Sequence, residues 1–163
     1  MTSFVGANIT KTYTAADLTG AESGKAPRLG DTYESYDGKV YRFVKYNQGA
    51  GAIAAVANNV VGFYAPAGVS AGQTNEVTSD VSDTAANGAG VLAAAPGNGE
   101  YAWIQVKGVA TLTTALVSGA DGNGLVLSAT TDGTLKVAAA VTDTVCAYAI
   151  DASAKIVMCA FPY

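Results

Sequence analysis

Two cysteines, thirteen carboxylates and no histidine set the reactive chemistry open to this chain of 163 residues. Without histidine, the side chain that titrates nearest neutral pH is missing, and with it the commonest general base and metal ligand. Triads of the Ser–His–Asp or Cys–His kind therefore cannot be assembled from this chain alone. A zinc site needs more ligands than two thiols supply. Cys146 and Cys159 fall in two β-rich runs joined by residues 151–154. A four-residue loop there would set Ile150 opposite Lys155 and Cys146 opposite Cys159, within reach of a disulfide. A reducing cytosol would instead keep both as free thiols, which commonly pack as small hydrophobes. Among the carboxylates, Asp80 and Asp83 sit close together, and Asp121-Gly-Asn123-Gly resembles the start of a calcium loop. The twelfth position from Asp121 is Asp132 rather than the closing glutamate, and the intervening ligands are absent, so a turn is expected. No pair of carboxylates is marked by spacing as an acid–base pair, and the glycines form neither phosphate-binding pattern. The expected class is not an enzyme, with no catalytic, metal or cofactor residues to assign.

The aromatic residues are the other candidates for recognition. Tyr33, Tyr36 and Tyr41 gather around one predicted hairpin, and Trp103 lies in a second strand. Phe4, Phe161 and Tyr163 lie near the chain ends. Tyrosine and tryptophan present a broad apolar face with a polar tip, which suits interfaces and sugar stacking as well as ordinary strand packing. These seven residues are the candidate interface.

The elements that must hold these residues read as β throughout. Asp37-Gly38 between two β-rich runs predicts a hairpin over 31–46, and a loop over 36–38 would pair Tyr33 with Tyr41. Within its second strand, Tyr41 and Phe43 share one face, with Val40, Arg42 and Val44 on the other. Residues 49–59 are ambiguous between helix and irregular chain. Val60–Ala65 reads as a buried strand, and 66–100 as a long loop with edge strands, a candidate insertion, in which Gly88 and Gly90 mark turns. Tyr101–Thr111 alternates, with a bend at Gly108. Leu125–Ala129 and Leu135–Ala139 flank Thr131–Gly133; matching their apolar faces favours Leu127 opposite Val137, Ala129 opposite Leu135, and Gly133 left-handed. The predicted architecture is all-β: a compact sandwich or barrel of short antiparallel strands over 31–163, preceded by an extended N-terminal arm over 1–30 with a short helical turn near 15–18.

Composition narrows the function. Only 13% of residues are charged, about half the usual share, which fits a surface covered by a partner or one rich in Thr, Ser and Asn. The net charge of −4 and the lack of a basic cluster argue against nucleic acid. Six of the nine basic residues precede residue 46, so the N-terminal part could face an acidic partner, although so few charges also fall unevenly by chance. The opening residues lack the basic and apolar regions of a signal peptide, and no run approaches the ~20 apolar residues that span a bilayer. Synthesis in the cytoplasm, with no membrane partner, is expected.

Trp103-Ile-Gln-Val-Lys-Gly-Val-Ala110, the Gly-rich turn Ser118-Gly-Ala-Asp-Gly122, the Asp-Gly hairpin over 125–137 and a closing β pair follow one another in an order that resembles the head decoration (cement) proteins of tailed bacteriophages. Asp37-Gly-Lys-Val-Tyr-Arg-Phe-Val44 and the segment at 52–55 are similar to pieces of phage structural proteins. The resemblance covers about two-thirds of the chain and excludes the arm and the 66–100 stretch. It implies a virion protein made in the host cytoplasm. Such a protein sits on the capsid surface, binds the major capsid protein, often as a homotrimer, and reinforces the shell. A carbohydrate- or receptor-binding fibre module is the alternative, and would use Tyr33, Tyr36 and Tyr41 as an exposed platform.

Overall fold

The structure, a computed structural model, describes residues 6–20, 23–65 and 74–162. Ten strands follow in order: β1 (Thr32–Glu34), β2 (Val40–Tyr46), β3 (Val60–Tyr64), β4 (Glu76–Thr78), β5 (Thr84–Leu92), β6 (Tyr101–Thr111), β7 (Gly124–Leu127), β8 (Leu135–Val137), β9 (Ala147–Asp151) and β10 (Ile156–Ala160). The one α-helix among the described residues, α1 (Ala15–Thr19), is a single turn, opened by a capping box between Thr14 and Asp17.

The strands form one sheet in the order β1-β2-β4-β3-β5-β6-β10-β9-β7-β8, and an additional pairing of β2 with β6 closes five of them, β2-β4-β3-β5-β6, into a barrel. The strand–strand pairings are antiparallel except that of β2 with β4, and an isolated bridge from Val117 to Lys136 of β8 is also parallel. The fold is thus all-β, as expected. β6 serves both halves of the molecule. Its first part closes the barrel against β2, and its last part, Lys107–Thr111, pairs with β10 to carry the sheet on beyond the barrel through β10, β9, β7 and β8. Gly108 makes the change of direction possible. Its φ of +93° is a left-handed conformation that a side chain would resist. The main core, including Phe63, Leu92, Ile104, Leu125, Leu135 and Phe161, runs from the barrel interior beneath β7–β10.

The first hairpin has the expected register, with Tyr33 opposite Tyr41, a loop over 36–38 and Gly38 at φ +80°. Two later registers differ from expectation. β7 and β8 pair Leu127 with Leu135 and Leu125 with Val137. The hydrogen bond from Ser128 N to Thr134 O lengthens the loop to residues 129–133, within which Ser128 Oγ accepts from the amides of Thr130 and Thr131. Gly133 is left-handed, at φ +72°, as predicted. In the final pair, the turn sets Ile156 opposite Asp151, and past a bulge between Ile156 and Val157 Cys159 faces Ala147 rather than Cys146. Asp151 tightens that turn by accepting from Ala154 N and Ser153 Oγ.

Residues 74–100 are not a loop-rich insertion. β5 is an interior strand of the barrel, between β3 and β6. Its glycines mark close approach of neighbouring strands rather than turns. A Cβ on Gly90 would lie 2.8 Å from the carbonyl oxygen of Gln105, and one on Gly88 2.9 Å from Cys146 Sγ. Nor do the described residues of 6–30 extend away from the body. Tyr13 forms a two-hydrogen-bond antiparallel bridge with Tyr101, and Ala7, Ile9, Leu18 and Ala26 pack against an aromatic cluster on the barrel's outer side.

Candidate functional site

Three of the seven candidate interface residues belong to that aromatic cluster. Phe43 lies 5.2 Å from Trp103 between ring centroids and meets the edge of Tyr13 at 5.4 Å, while Tyr33 stacks on Tyr41 at 6.3 Å. Trp103 is fully buried and Tyr41 is nearly so, and only Tyr33 of the three keeps partial exposure. Burial pushes the phenols of Tyr13 and Tyr41 above their ordinary pKa. The cluster is a second small core between sheet and N-terminal segment. Tyr36 projects alone from the hairpin tip, fully exposed. Phe161 is buried in the main core, and Phe4 and Tyr163 lie outside the described residues. Tyr33, Tyr36 and Tyr41 therefore share no open platform.

The carboxylates singled out in the sequence hold loops. Asp80, buried at one end of the barrel, accepts from Gly51 N at 2.7 Å through one oxygen and from Ser82 N and Oγ at 3.0 and 2.6 Å through the other. Asp83 accepts from Ala50 N at 2.5 Å, and Asp132 from Val81 N at 2.9 Å. Three loops that meet at this end are thereby tied by side chain to backbone. Although burial acts to raise the Asp80 pKa, the hydrogen bonds from Ser82 and Gly51 outweigh it and hold the group below the ordinary value. Asp121 accepts from Ala152 N and Asn123 from Ala120 N, an ordinary turn. Among the described residues, no three His, Cys, Asp or Glu side chains are grouped to hold a metal ion, and no helix is long and apolar enough to cross a membrane. Cys146 and Cys159 are free, buried thiols, both pushed up to about 12, by burial first.

Among the described residues, the outer face of β6, β10 and β9 presents an aligned apolar surface. The registers align Val109, Met158 and Tyr148 in one row across these three strands. They are 40%, 41% and 51% exposed, and Ile150 beside them is 46% exposed. The core side of β9 and β10 is lined by small residues, Ala147, Ala149 and Cys159, together with Val157. Larger side chains thus face out while smaller ones face in, the reverse of the usual preference. The alternation Cys146-Ala-Tyr-Ala-Ile150 carries this signal in the sequence, but only knowledge of which face meets the core turns it into a surface. No family model, curated protein or solved structure matches the chain.

Proposed function

We propose that this chain is a structural virion protein that binds the outer surface of a tailed-phage capsid and stabilises contacts between major capsid proteins. The observation that carries the reading is the uncharged row of Val109, Met158 and Tyr148, with Ile150 beside it, on a three-strand face. Contiguous exposed apolar surface on an otherwise well-packed protein is characteristic of docking sites. Completing the burial of such half-exposed side chains is worth about 1 kcal/mol each. That supports modest binding per copy, which suffices for a protein repeated over many equivalent positions on a shell. Scarcity of charge, a closed barrel and the order of elements after Tyr101 agree with a reinforcing role, and a homo-oligomer, a trimer by the resemblance, would add contacts between neighbouring copies.

The test is rebinding to phage particles lacking this protein, followed by heating. Saturable binding that raises the particles' disruption temperature is the expected result. A protein that stays in solution at every concentration would overturn the reading.

A further inference from the structure

A hollow of about 370 Å3 is lined by the N-terminal segment at Ile9 and Thr10 and by β6 around its bend. Tyr41 of β2 and Gln105 of β6 stand side by side in it, because the two are cross-strand partners. They are only 6% and 7% exposed. The Gln105 amide is oriented by its own strand. Its Nε2 donates to the carbonyls on either side of Gly108, those of Lys107 and Val109, at 3.2 and 3.0 Å. Both amide hydrogens are thereby used, and Oε1 is left to accept. Neither Oε1 nor the Tyr41 hydroxyl has a hydrogen-bond partner among the described residues, and neither is sealed from solvent. Two buried side chains thus present unpaired oxygens to the hollow, one an acceptor and the other able to donate. Thr10, Asn58 and Thr111, all exposed, add polar groups at its rim. Lys39 is the charged residue that lines it, and its ammonium is paired with Asp37 at 3.4 Å.

We propose that this hollow binds one pyranose ring of a neutral sugar, with Tyr41 Oη donating to one hydroxyl and Gln105 Oε1 accepting from its neighbour. The site goes beyond the capsid reading and does not depend on it. A sugar hydroxyl both donates and accepts, so two adjacent ones match a donor and an acceptor held side by side. Because both side chains are already fixed by burial, they lose little freedom when a ligand arrives. The volume lies at the low end of small-molecule sites, which suits a single ring. Pairing of Lys39 with Asp37 leaves the hollow without unbalanced charge, which favours a neutral ligand over a carboxylate or phosphate. Ile9 and Val109 offer apolar contact to the ring's C–H groups. Tyr33 stacks on the Tyr41 ring, so Tyr41 acts through its hydroxyl and not as a stacking platform.

The experiment is an NMR titration of the isotope-labelled full chain with the methyl glycosides of glucose, galactose, mannose, N-acetylglucosamine and rhamnose, and with acetamide and acetate as controls. Saturable shifts of the amides from Gly108 to Thr111 are expected with at least one glycoside and with neither control. Tyr41→Phe keeps the ring and removes the hydroxyl, and should bind that glycoside roughly threefold to tenfold more weakly, the loss of one hydrogen bond. Tyr36→Phe, the same change at the exposed hairpin tip, should bind as wild type. Thr111→Arg obstructs the rim from an exposed position and should abolish the shifts; it replaces Tyr41→Phe if thermal unfolding shows that variant to be unfolded. No saturable shift with any glycoside, a stronger response to acetamide or acetate, or wild-type binding by Tyr41→Phe would each overturn the site. Particle rebinding is read separately, so failure of the sugar site leaves the capsid reading standing, and the reverse.

Discussion

Asp80 shows how a single side chain can fix a whole end of the barrel. With both carboxylate oxygens engaged by Gly51 and Ser82, Asp80→Ala removes a charged acceptor from two part-buried loop amides. It should cost about 1–3 kcal/mol in urea unfolding. The pH dependence follows from the direction of its shift. Because the folded protein holds this carboxyl below its unfolded value, the group stabilises the fold above about pH 4 and loses that contribution as pH falls through the lower, folded value. The Asp80→Asn variant should therefore lose less stability than wild type between about pH 5 and pH 2. Equal slopes would show that Asp80 is not the titrating group. The thiols make a second prediction at this scale. Buried and raised to about 12, Cys146 and Cys159 should ignore a disulfide-exchange reagent in the native protein and react with it on unfolding. Rapid native labelling would contradict their burial.

At the scale of elements, the N-terminal segment acts as a cover. The tyrosine bridge to β6 and the Tyr13–Phe43 contact hold it over Trp103, the chain's single tryptophan. Tyr13→Ala should shift Trp103 emission to the red and destabilise the fold by about 3 kcal/mol, in the range of large-to-small core substitutions. Unchanged emission would mean the cover is held by other contacts. The sequence made local pairing readable where turn chemistry dominates. Asp37-Gly38 dictates its hairpin, and Gly133 and Gly108 their positive φ, because each requirement is satisfied within a few residues. Registers that depend on distant partners were not readable. The β7–β8 loop is drawn out by Ser128 and by Asp132 reaching Val81, and the β9–β10 turn falls one residue later than expected, between Asp151 and Ile156, with a bulge after it. β5 was hidden for the opposite reason: Gly88 and Gly90 look like turn residues, yet they lie where neighbouring chains touch. Gly90→Ala, placing a methyl against the Gln105 carbonyl and Ile104, should cost about 1–3 kcal/mol, as overpacking does. A neutral effect would show that the strands can part. Of the candidate interface residues, Tyr36 lies at the surface, whereas Trp103 and Phe161 lie in the two cores. Aromatic character alone does not say which face of a strand is covered.

For the whole molecule, the division between what is held and what is offered is sharp. The described aromatic side chains other than Tyr36 and Tyr148 are buried or partly covered, and the singled-out carboxylates are spent on loops. The large side chains of the outer face of β6, β10 and β9 remain exposed. Because that row is uncharged, rebinding to particles lacking the protein should change little with ionic strength. A steep fall in rebinding with added salt would show that charged groups outside the row carry the contact.

The shared strand β6 also governs how quickly the protein can be made ready. Neither half of the molecule is complete without it. The barrel closes only when Tyr101–Lys107 meets a strand some sixty residues earlier, and the sheet continues to β10 only from Lys107–Thr111. Little native structure can therefore form on a growing chain until β6 has left the ribosome. Non-local pairing of this kind folds in milliseconds to seconds rather than microseconds. Supply of folded copies then sets a delay between synthesis and use, which a stopped-flow refolding trace of Trp103 fluorescence would read directly.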